Sequence, residues 1–565
     1  VKNQSNFLNR NSLPGLTHVL WILVIFIAGC LPVSFALIKI TRPGMSEVKE
    51  SINRWNHMMS TLMTDNKYQT DAQPLQTVRL NQAMGPLQVD PDNPRYFTDG
   101  SGRAILLTGS HTWCDFIDCG DVDPPPDFDY TAYLNFLEDN HHNFIRLWRA
   151  ENAKGGEVGD DFWFAPMPYQ RTGPGTALDG KPKFDLDQFN QAYFDRMRER
   201  IIDAGQRGIY VSIMLFDGWS IQSKFETHNP WAGHPFNVNN NINGIDGDVN
   251  RDGQGEETHT LENEDVTAYQ YAYVAKAMDT VNDLDNVLYE VSNESDAASQ
   301  EWQYEMIDFI RNYEAKKRKQ HPVGMTSLSL SLDNSVLFAS AADWISPVGD
   351  VYDPPASDGT KVILNDTDHL CGICGDRQWV WKSLTRGLNP IFMDPYDCQA
   401  PGRGAPPGCD PNDPGDISTR KNMGYALEFA YRMNLVNMKP LPELCSTGYC
   451  LANPTASGAE YLIYLPMGST TTGLLDKFGI TKKPEIYLPS DSSVTVDLSA
   501  TSETLRVEWF NPDQGTTTFG GTVSGGNTQS FTAPFGGDAV LYIYDSDIIT
   551  PIPGPSRTIS PSPNP

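Results

Sequence analysis

Short apolar runs alternate along the middle of the chain with stretches whose apolar residues return every three or four positions. The first kind predicts buried strands, the second amphipathic helices that pack by one face. Strands are expected at 104–113, 143–149, 209–216, 287–292, 323–328, 343–348, 361–366 and 389–394. Helices are expected at 130–140, around 265–282 and at 377–387. Another carries Phe189, Tyr193, Met197 and Ile201 on one face, with Asp185 or Asp187 as cap and Gly205 and Gly208 near its end. A further one aligns Trp302, Met306, Phe309, Ile310 and Tyr313. Apolar strands separated by such helices imply a parallel sheet. The fold class is therefore α/β, and eight units imply a (β/α)8 barrel over 86–440. A doubly wound sheet is the main alternative, but no Gly-rich phosphate loop follows the first strand.

After about residue 440 the period becomes two. "SVTVDLS", "TLRVEWF" and "AVLYIYD" alternate between Gly-, Asn- and Thr-rich breaks. That pattern predicts an antiparallel β-sandwich at 441–548. Residues 41–85 are polar and read as a linker, and the Pro/Ser-rich tail 549–565 reads as disordered.

Lys2 and Arg10 are the only charges before an apolar run from Val19 to Ile38. It fits a signal peptide within 1–40, with Ser34-Phe35-Ala36 as a cleavage site. It is also about 20 residues long, enough for an uncleaved membrane anchor. "IAGC" ending at Cys30 resembles a lipoprotein box, although the apolar run continues past it. Each reading exports the rest of the chain, to a secreted or membrane-anchored location. The formal net charge of −29 repels phosphate backbones and anionic lipid, which excludes nucleic acid as a natural partner.

Eight cysteines follow Cys30 in close pairs: Cys114/Cys119, Cys371/Cys374, Cys398/Cys409 and Cys445/Cys450. In an exported chain such pairs predict four local disulfides. "CGIC" could instead be a redox or zinc pair, but no second CxxC completes a zinc site.

Chemistry in a barrel sits at the C-terminal strand ends. Ser110, His111 and Trp113 end the first strand, and Arg146, Trp148 and Arg149 the second. Asp217 and Trp219 end the third, Asn293 and Glu294 the fourth. Asp366, Asp368 and His369 end the seventh, Asp394 and Tyr396 the eighth. Carboxylates and aromatics around one rim suit sugar chemistry, because rings stack on sugar C–H faces and paired carboxyls cleave glycosidic bonds. Each residue also has a plainer reading. Asn293-Glu294 could cap a helix, and Asp366 or Asp368 could be turn residues. Arg146 could be an internal ion-pair partner, His111 a satisfied structural histidine, and the tryptophans packing between loops. Asp248, Asn250 and Asp252, with Gly253, begin like a calcium loop, but His259 stands where an EF-hand places Glu. No cofactor is required by these residues; one structural calcium is the possible addition. No G-x-S-x-G nucleophile elbow occurs.

"GPLQVDPDNPRYFTDGSGRAILLTGSHTW", "NFIRLWR", "HPFNVNNNINGI", "LYEVSNE", "NDTDH" and "GLNPIFMDPYD" together resemble the apiosidase-like glycoside hydrolase family. "STGYCLANP" and "VEWFNPDQG…FTAPFGGDAVLYIY" resemble the collagen-binding-type domain often placed after it. The resemblance spans roughly 86–546. It implies a retaining (β/α)8 hydrolase with Glu294 as acid/base, Asn293 beside it, and the nucleophile at Asp366 or Asp368. Asp394 is the reserve. "NDTDH" departs from the Glu expected in that region, and Cys114-Asp115 stand where amides are expected. The expected function is hydrolysis of a complex, plant-type polysaccharide. The alternative is a non-catalytic cell-surface protein that holds carbohydrate or matrix protein.

Overall fold

The computed structural model describes residues 82–156, 159–222, 228–329, 331–404, 409–467 and 492–545, and the backbone of Gln73–Pro74. The expected signal or anchor at 1–40, nearly all of the 41–85 linker and the 549–565 tail lie outside the described residues. Among those described, no helix is long and apolar enough to cross a membrane.

Eight parallel strands form a barrel: β1 Gly109–His111, β2 Phe144–Leu147, β3 Tyr210–Asp217, β4 Val287–Asn293, β5 Val323–Thr326, β6 Trp344–Ser346, β7 Val362–Asp366 and β8 Asn389–Met393. Their order in the sheet is β1-β8-β7-β6-β5-β4-β3-β2. Closure between β1 and β2 uses a side chain: Thr108 N–H donates to Asn143 Oδ1 at 2.8 Å, and Asn143 N–H to Thr108 O at 3.0 Å. Gly109 permits the approach, since a Cβ there would lie 2.0 Å from the Phe144 carbonyl oxygen. The expected strand at 104–113 is therefore split. Ala104–Ile105 joins a small antiparallel sheet with Gln88–Val89 and Phe97–Thr98, and only Gly109–His111 enters the barrel.

The helices are α1 Tyr130–Asp139, α2 Gln191–Gln206, α3 Glu264–Val281, α4 Gln300–Glu314, α5 Ser335–Ala339, α6 Arg377–Thr385 and α7 Pro414–Arg432. Tyr193, Met197 and Ile201 of α2 are fully buried against the barrel, as the spacing predicts. Its start differs from expectation. Asn190 is the cap residue, because Pro182–Phe189, including Asp185 and Asp187, is a strand paired with Tyr169–Thr176.

The sandwich contains β9 Cys450–Asn453, β10 Glu460–Leu465, β11 Ser493–Asp497, β12 Thr504–Asn511, β13 Thr516–Ser524, β14 Thr528–Thr532 and β15 Ala539–Asp545. β13-β12-β15-β10-β9 run in that order through one antiparallel sheet, and β11 pairs with β14. Alternation would predict one wet face, yet every residue of β15 is buried. Val540, Tyr542 and Tyr544 pack with Trp381 of α6 and Phe429 of α7. Leu541 and Ile543 pack with Val494 and Val496 of the second sheet. The central sheet is thus the middle layer between barrel helices and the outer sheet, so both faces are dry.

Three expected disulfides are formed, Cys114–Cys119, Cys371–Cys374 and Cys398–Cys409, on the loops after β1, β7 and β8. With Cys371 and Cys374 bridged, neither offers a thiolate to zinc. The fourth pair departs from expectation: Cys445 and Cys450 are buried free thiols. Cys450 is fixed at the start of β9, while Cys445 bridges to Val496 of β11 and its sulfur lies 3.3 Å from Thr447 Oγ1. The thiols contact each other by a hydrogen bond, which pulls Cys445 down to about 6.

Candidate active site

Arg146 projects from the middle of β2 and is 1% exposed. Its guanidinium reaches three groups on strands and one on the turn after β7. Nε and Nη2 donate to the two oxygens of Glu290 at 2.9 and 2.6 Å, a bidentate pair inside the barrel. Nη2 also donates to Asn293 Oδ1 at 2.8 Å. Nη1 donates to Asp366 Oδ2 at 3.1 Å and to Asp368 Oδ2 at 2.9 Å. One cation therefore joins the end of β4 to the end of β7. The internal ion-pair reading of Arg146 is the one its geometry displays. Burial alone would lower its pKa, but Glu290 and Asp366 outweigh that and raise it well above the usual value.

Asp366 ends β7 and caps the short turn Thr367–His369. Its Oδ1 accepts from His111 Nε2 at 2.9 Å and from the Asp368 N–H at 3.0 Å. Trp148 Nε1 donates to His111 Nδ1 at 2.7 Å. An indole N–H can only donate, so His111 accepts at Nδ1 and carries its proton on Nε2. Burial pushes the Asp366 carboxyl up, but His111 and Arg146 prevail and hold it below the usual range. Asp368 is more open, with a side chain 7% exposed against 2% for Asp366. His369 lies 2.6 Å from Ser346 Oγ and 3.2 Å from Asn293 Oδ1, and burial pulls its imidazole down.

Asn293 is fully buried, and its NH2 group lies on the side of the Asp217 carboxyl, which it helps to hold down against burial. Glu294 follows with φ +45°, in the left-handed region that a Glu seldom adopts. Trp219 Nε1 donates to Glu294 Oε2 at 2.6 Å. Gly218 makes this contact possible, since a Cβ there would sit 2.4 Å from the Glu294 carbonyl oxygen.

The remaining expected rim residues divide. Trp113 and Trp148 meet edge to face with centroids 6.4 Å apart, and Trp148 also lies under Arg146 at 5.3 Å. Asp217 accepts from Ser220 Oγ at 2.7 Å and from the Trp219 N–H at 3.3 Å, so it caps the next turn rather than facing the mouth. Burial raises its carboxyl to about 7. Asp394 is not brought into the site. It is fully buried and held bidentate by Arg420 of α7 at 2.8 and 2.5 Å. Tyr396 packs on Phe136 and Tyr133. Asp115 is buried and accepts the Trp148 N–H at 2.8 Å; burial pushes its carboxyl well up.

The Asp248 loop closes on itself. Asp248 accepts the N–H groups of Asp252 and Gly253 at 3.1 and 2.9 Å, and Asn250 donates to Asp252 and Glu257 at 3.1 and 2.5 Å. Among the described residues no group of three or more His, Cys, Asp or Glu is arranged to hold a metal ion.

Sequence reasoning missed Glu290, Glu151, His234 and His259. Glu290 carried a signal, an ionisable residue inside the apolar run "VLYEVS". Glu151 is 2% exposed and lies 2.9 Å from His259 Nε2, 3.5 Å from Arg149 Nη2 and 3.6 Å from His234 Nε2. Only the fold brings those together.

A family model described as "Domain of unknown function (DUF6298)" matches residues 137–345, within the barrel. A second, described as "Putative collagen-binding domain of a collagenase", matches 480–543, a range that takes in β11 to β14 and most of β15. No curated protein matches the chain. A solved glycoside hydrolase family 5 structure from Bacteroides vulgatus is 14% identical, with TM-score 0.52, over 84% of this chain and 96% of its own. Another, described as a glycoside hydrolase, is 13% identical, with TM-score 0.50, over 82% of this chain and 97% of its own. What those two structures share with this chain is the fold, over a length that exceeds the barrel alone.

Proposed function

We propose that the protein is an exported glycoside hydrolase of the retaining type, apiosidase-like, acting on complex plant-type polysaccharide. One observation carries the reading. Glu294, held in the left-handed region, directly follows Asn293, which Arg146 joins to the Asp366–Asp368 pair. Strained backbone of this kind concentrates where function requires a fixed direction. The solved glycoside hydrolases of the same fold support the choice of reaction, and the three disulfides support export.

In this mechanism Glu294 gives its proton to the glycosidic oxygen. A β7 carboxylate attacks the anomeric carbon as the bond to the leaving oxygen breaks, leaving a glycosyl ester. Glu294, now ionised, takes a proton from water, which attacks the same carbon and frees the carboxylate. Asn293 donates to the neighbouring sugar hydroxyl, and Trp113, Trp148 and Trp219 offer ring faces to the sugar. Val362, Leu364 and Asp366 share a strand face, which favours Asp366 as nucleophile. Hydrogen bonding favours Asp368. Both oxygens of Asp366 are held by protein donors, whereas Asp368 accepts through Oδ2 alone. We assign attack to Asp368 and fixed negative charge to Asp366.

Digestion of a glycan panel, read by reducing-sugar release, tests the reading. Glu294→Gln should abolish turnover of natural glycans yet still release a good leaving group. Asp368→Asn should stop both reactions. If Asp366→Asn alone stops both, the two aspartates exchange roles. The second reading, a non-catalytic carbohydrate-binding protein, draws on the full commitment of Asp366 to protein donors. A parent enzyme inert across the whole panel would establish it.

A further inference from the structure

Behind Glu294 lies a second buried network that the reaction scheme does not use. Ser295 is fully buried, and its hydroxyl lies 2.8 Å from His259 Nδ1 and 2.6 Å from the Ser292 hydroxyl. His259 Nε2 lies 2.9 Å from Glu151 Oε1. The same Glu151 oxygen accepts the Asp217 N–H at 2.8 Å, and the Glu151 N–H donates to Ser220 Oγ at 2.9 Å. Asp217 and Ser220 bracket the turn Gly218–Ser220 that carries Trp219. The His259 ring lies flat on Trp302, with centroids 4.5 Å apart and planes 8° from parallel, so it cannot tilt away.

These contacts converge on one residue from two directions. Through Ser295 the network fixes the chain just after Glu294. Through Asp217 and Ser220 it fixes the turn whose Trp219 indole donates to the Glu294 carboxylate. Glu151 stays ionised although burial opposes it, because Arg149 and His259 hold its pKa well below the usual value. An ionised Glu151 accepts from His259 Nε2–H, which leaves Nδ1 to accept from the Ser295 hydroxyl.

We propose that Glu151 and His259 are positioning residues for the general acid. Together they clamp Ser295 and the Trp219 turn so that Glu294 keeps its left-handed backbone and its carboxyl keeps its aim. The inference rests on the hydrolase reading above. It also gives the 248–259 loop a task, since that loop delivers His259 beneath the acid.

A displaced general acid has a specific signature. Cleavage of a natural glycoside needs its proton, whereas an aryl glycoside with a good leaving group hardly does. His259→Gln should lower kcat/KM on a natural oligosaccharide about 30-fold or more while changing kcat/KM on the activated aryl glycoside by less than about 3-fold, because kcat/KM reports formation of the glycosyl-enzyme. On the activated aryl glycoside kcat and KM should fall together, because the second step also needs Glu294, as base, and the glycosyl-enzyme accumulates. Glu151→Gln removes the carboxylate that compensates the buried Arg149 and can fail to fold. Ser295→Ala removes one hydroxyl and serves as the second variant, with the same split at about 10-fold. Glu294→Gln is the reference and should show the largest split. If Glu294→Gln splits the substrates while His259→Gln and Ser295→Ala lower both equally, or neither, the positioning role is wrong and the hydrolase reading stands. If Glu294→Gln itself shows no split, the hydrolase reading falls and this inference with it.

Discussion

Arg146 and Glu151 lie five residues apart in the chain and are built as opposites. Around Arg146, one guanidinium is ringed by Glu290, Asp366 and Asp368. Around Glu151, one carboxylate is ringed by Arg149, His234 and His259. The first ring has more negative groups than its cation can neutralise, and it includes the more open Asp368 at the mouth. The second is matched, buried and spent on protein partners. The difference separates tasks. Surplus negative charge at a mouth suits a transition state that develops positive charge on a sugar ring. A matched, closed cluster suits holding other groups still.

The sharpest way to break the comparison is to remove the cation of the first ring. Breaking a buried pair by deleting one partner costs about 3–5 kcal/mol, because the remaining charges stay buried without compensation. Arg146→Met strands three carboxylates, so the loss should fall at the top of that range, with activity gone. Urea unfolding measures it. Arg146→Met combined with Glu290→Leu should recover part of the stability, since Glu290 is fully buried and, among the described residues, its side chain hydrogen-bonds to Arg146 alone. Activity should not return, because Asp366 and Asp368 remain without their cation. A double variant no more stable than the single one would show that Glu290 is not the main charge Arg146 neutralises.

The two rings also differ in how far the sequence revealed them. His111, Asp366, Asp368, Asn293 and Glu294 stand at or next to the ends of apolar runs and Arg146 interrupts one, and strand periodicity finds such places. Glu151, His234 and His259 lie in loops of irregular backbone. No periodicity marks a loop, and their meeting depends on how three separate loops fold over the barrel end. The same limit explains the fold's surprises. The hairpin at 169–189 interrupts what reads as the start of a helix, and α7 went unrecognised. Gly424 in α7 argues against a helix locally, yet it is required there, since a Cβ would lie 2.2 Å from the Asn140 carbonyl oxygen. In the sandwich, alternation located β12 and β15 but predicted a wet face. The barrel helices that cover it are remote in sequence.

Asp217 stands between the two rings. Its N–H donates to Glu151, and its side chain holds the turn that carries Trp219. Burial raises its carboxyl to about 7, against about 3.9 in an unfolded chain. Between those values the native state keeps a proton that the unfolded chain has lost. Stability therefore falls as pH rises through the window, and above about 7 the whole cost is present. Three units correspond to about 4 kcal/mol as an upper figure. Asp217→Asn should flatten the decline of Tm between about pH 4 and 7 and leave the acid side unchanged. It should not abolish the decline, because burial also raises Glu428 to about 7. A pH-independent offset between variant and parent would show that Asp217 is not the titrating group.

The smallest effect belongs to the loop that delivers His259. Its sequence begins like a calcium site, and a bound ion would add a charge-matched centre comparable to the Glu151 ring. Calcium bound only by the native state would raise Tm by mass action. The loop's carboxylate oxygens already accept hydrogen bonds, however. Both oxygens of Asp248 accept backbone N–H groups, and Asn250 spans Asp252 and Glu257. Each Asp248 oxygen keeps a further lone pair, but among the described residues no three carboxyl, imidazole or thiol groups converge there to share an ion. Tm in excess chelator and in calcium at about 1 mM, the order of extracellular sites, should therefore agree within about 1 °C. Asp248→Ala should lower Tm slightly and equally in both solutions, because it removes only the loop's own bonds. A rise of several degrees with calcium in the parent, lost in Asp248→Ala, would show that the loop binds the ion after all. His259 would then be held beneath Glu294 by a metal-ordered loop rather than by the loop's internal hydrogen bonds.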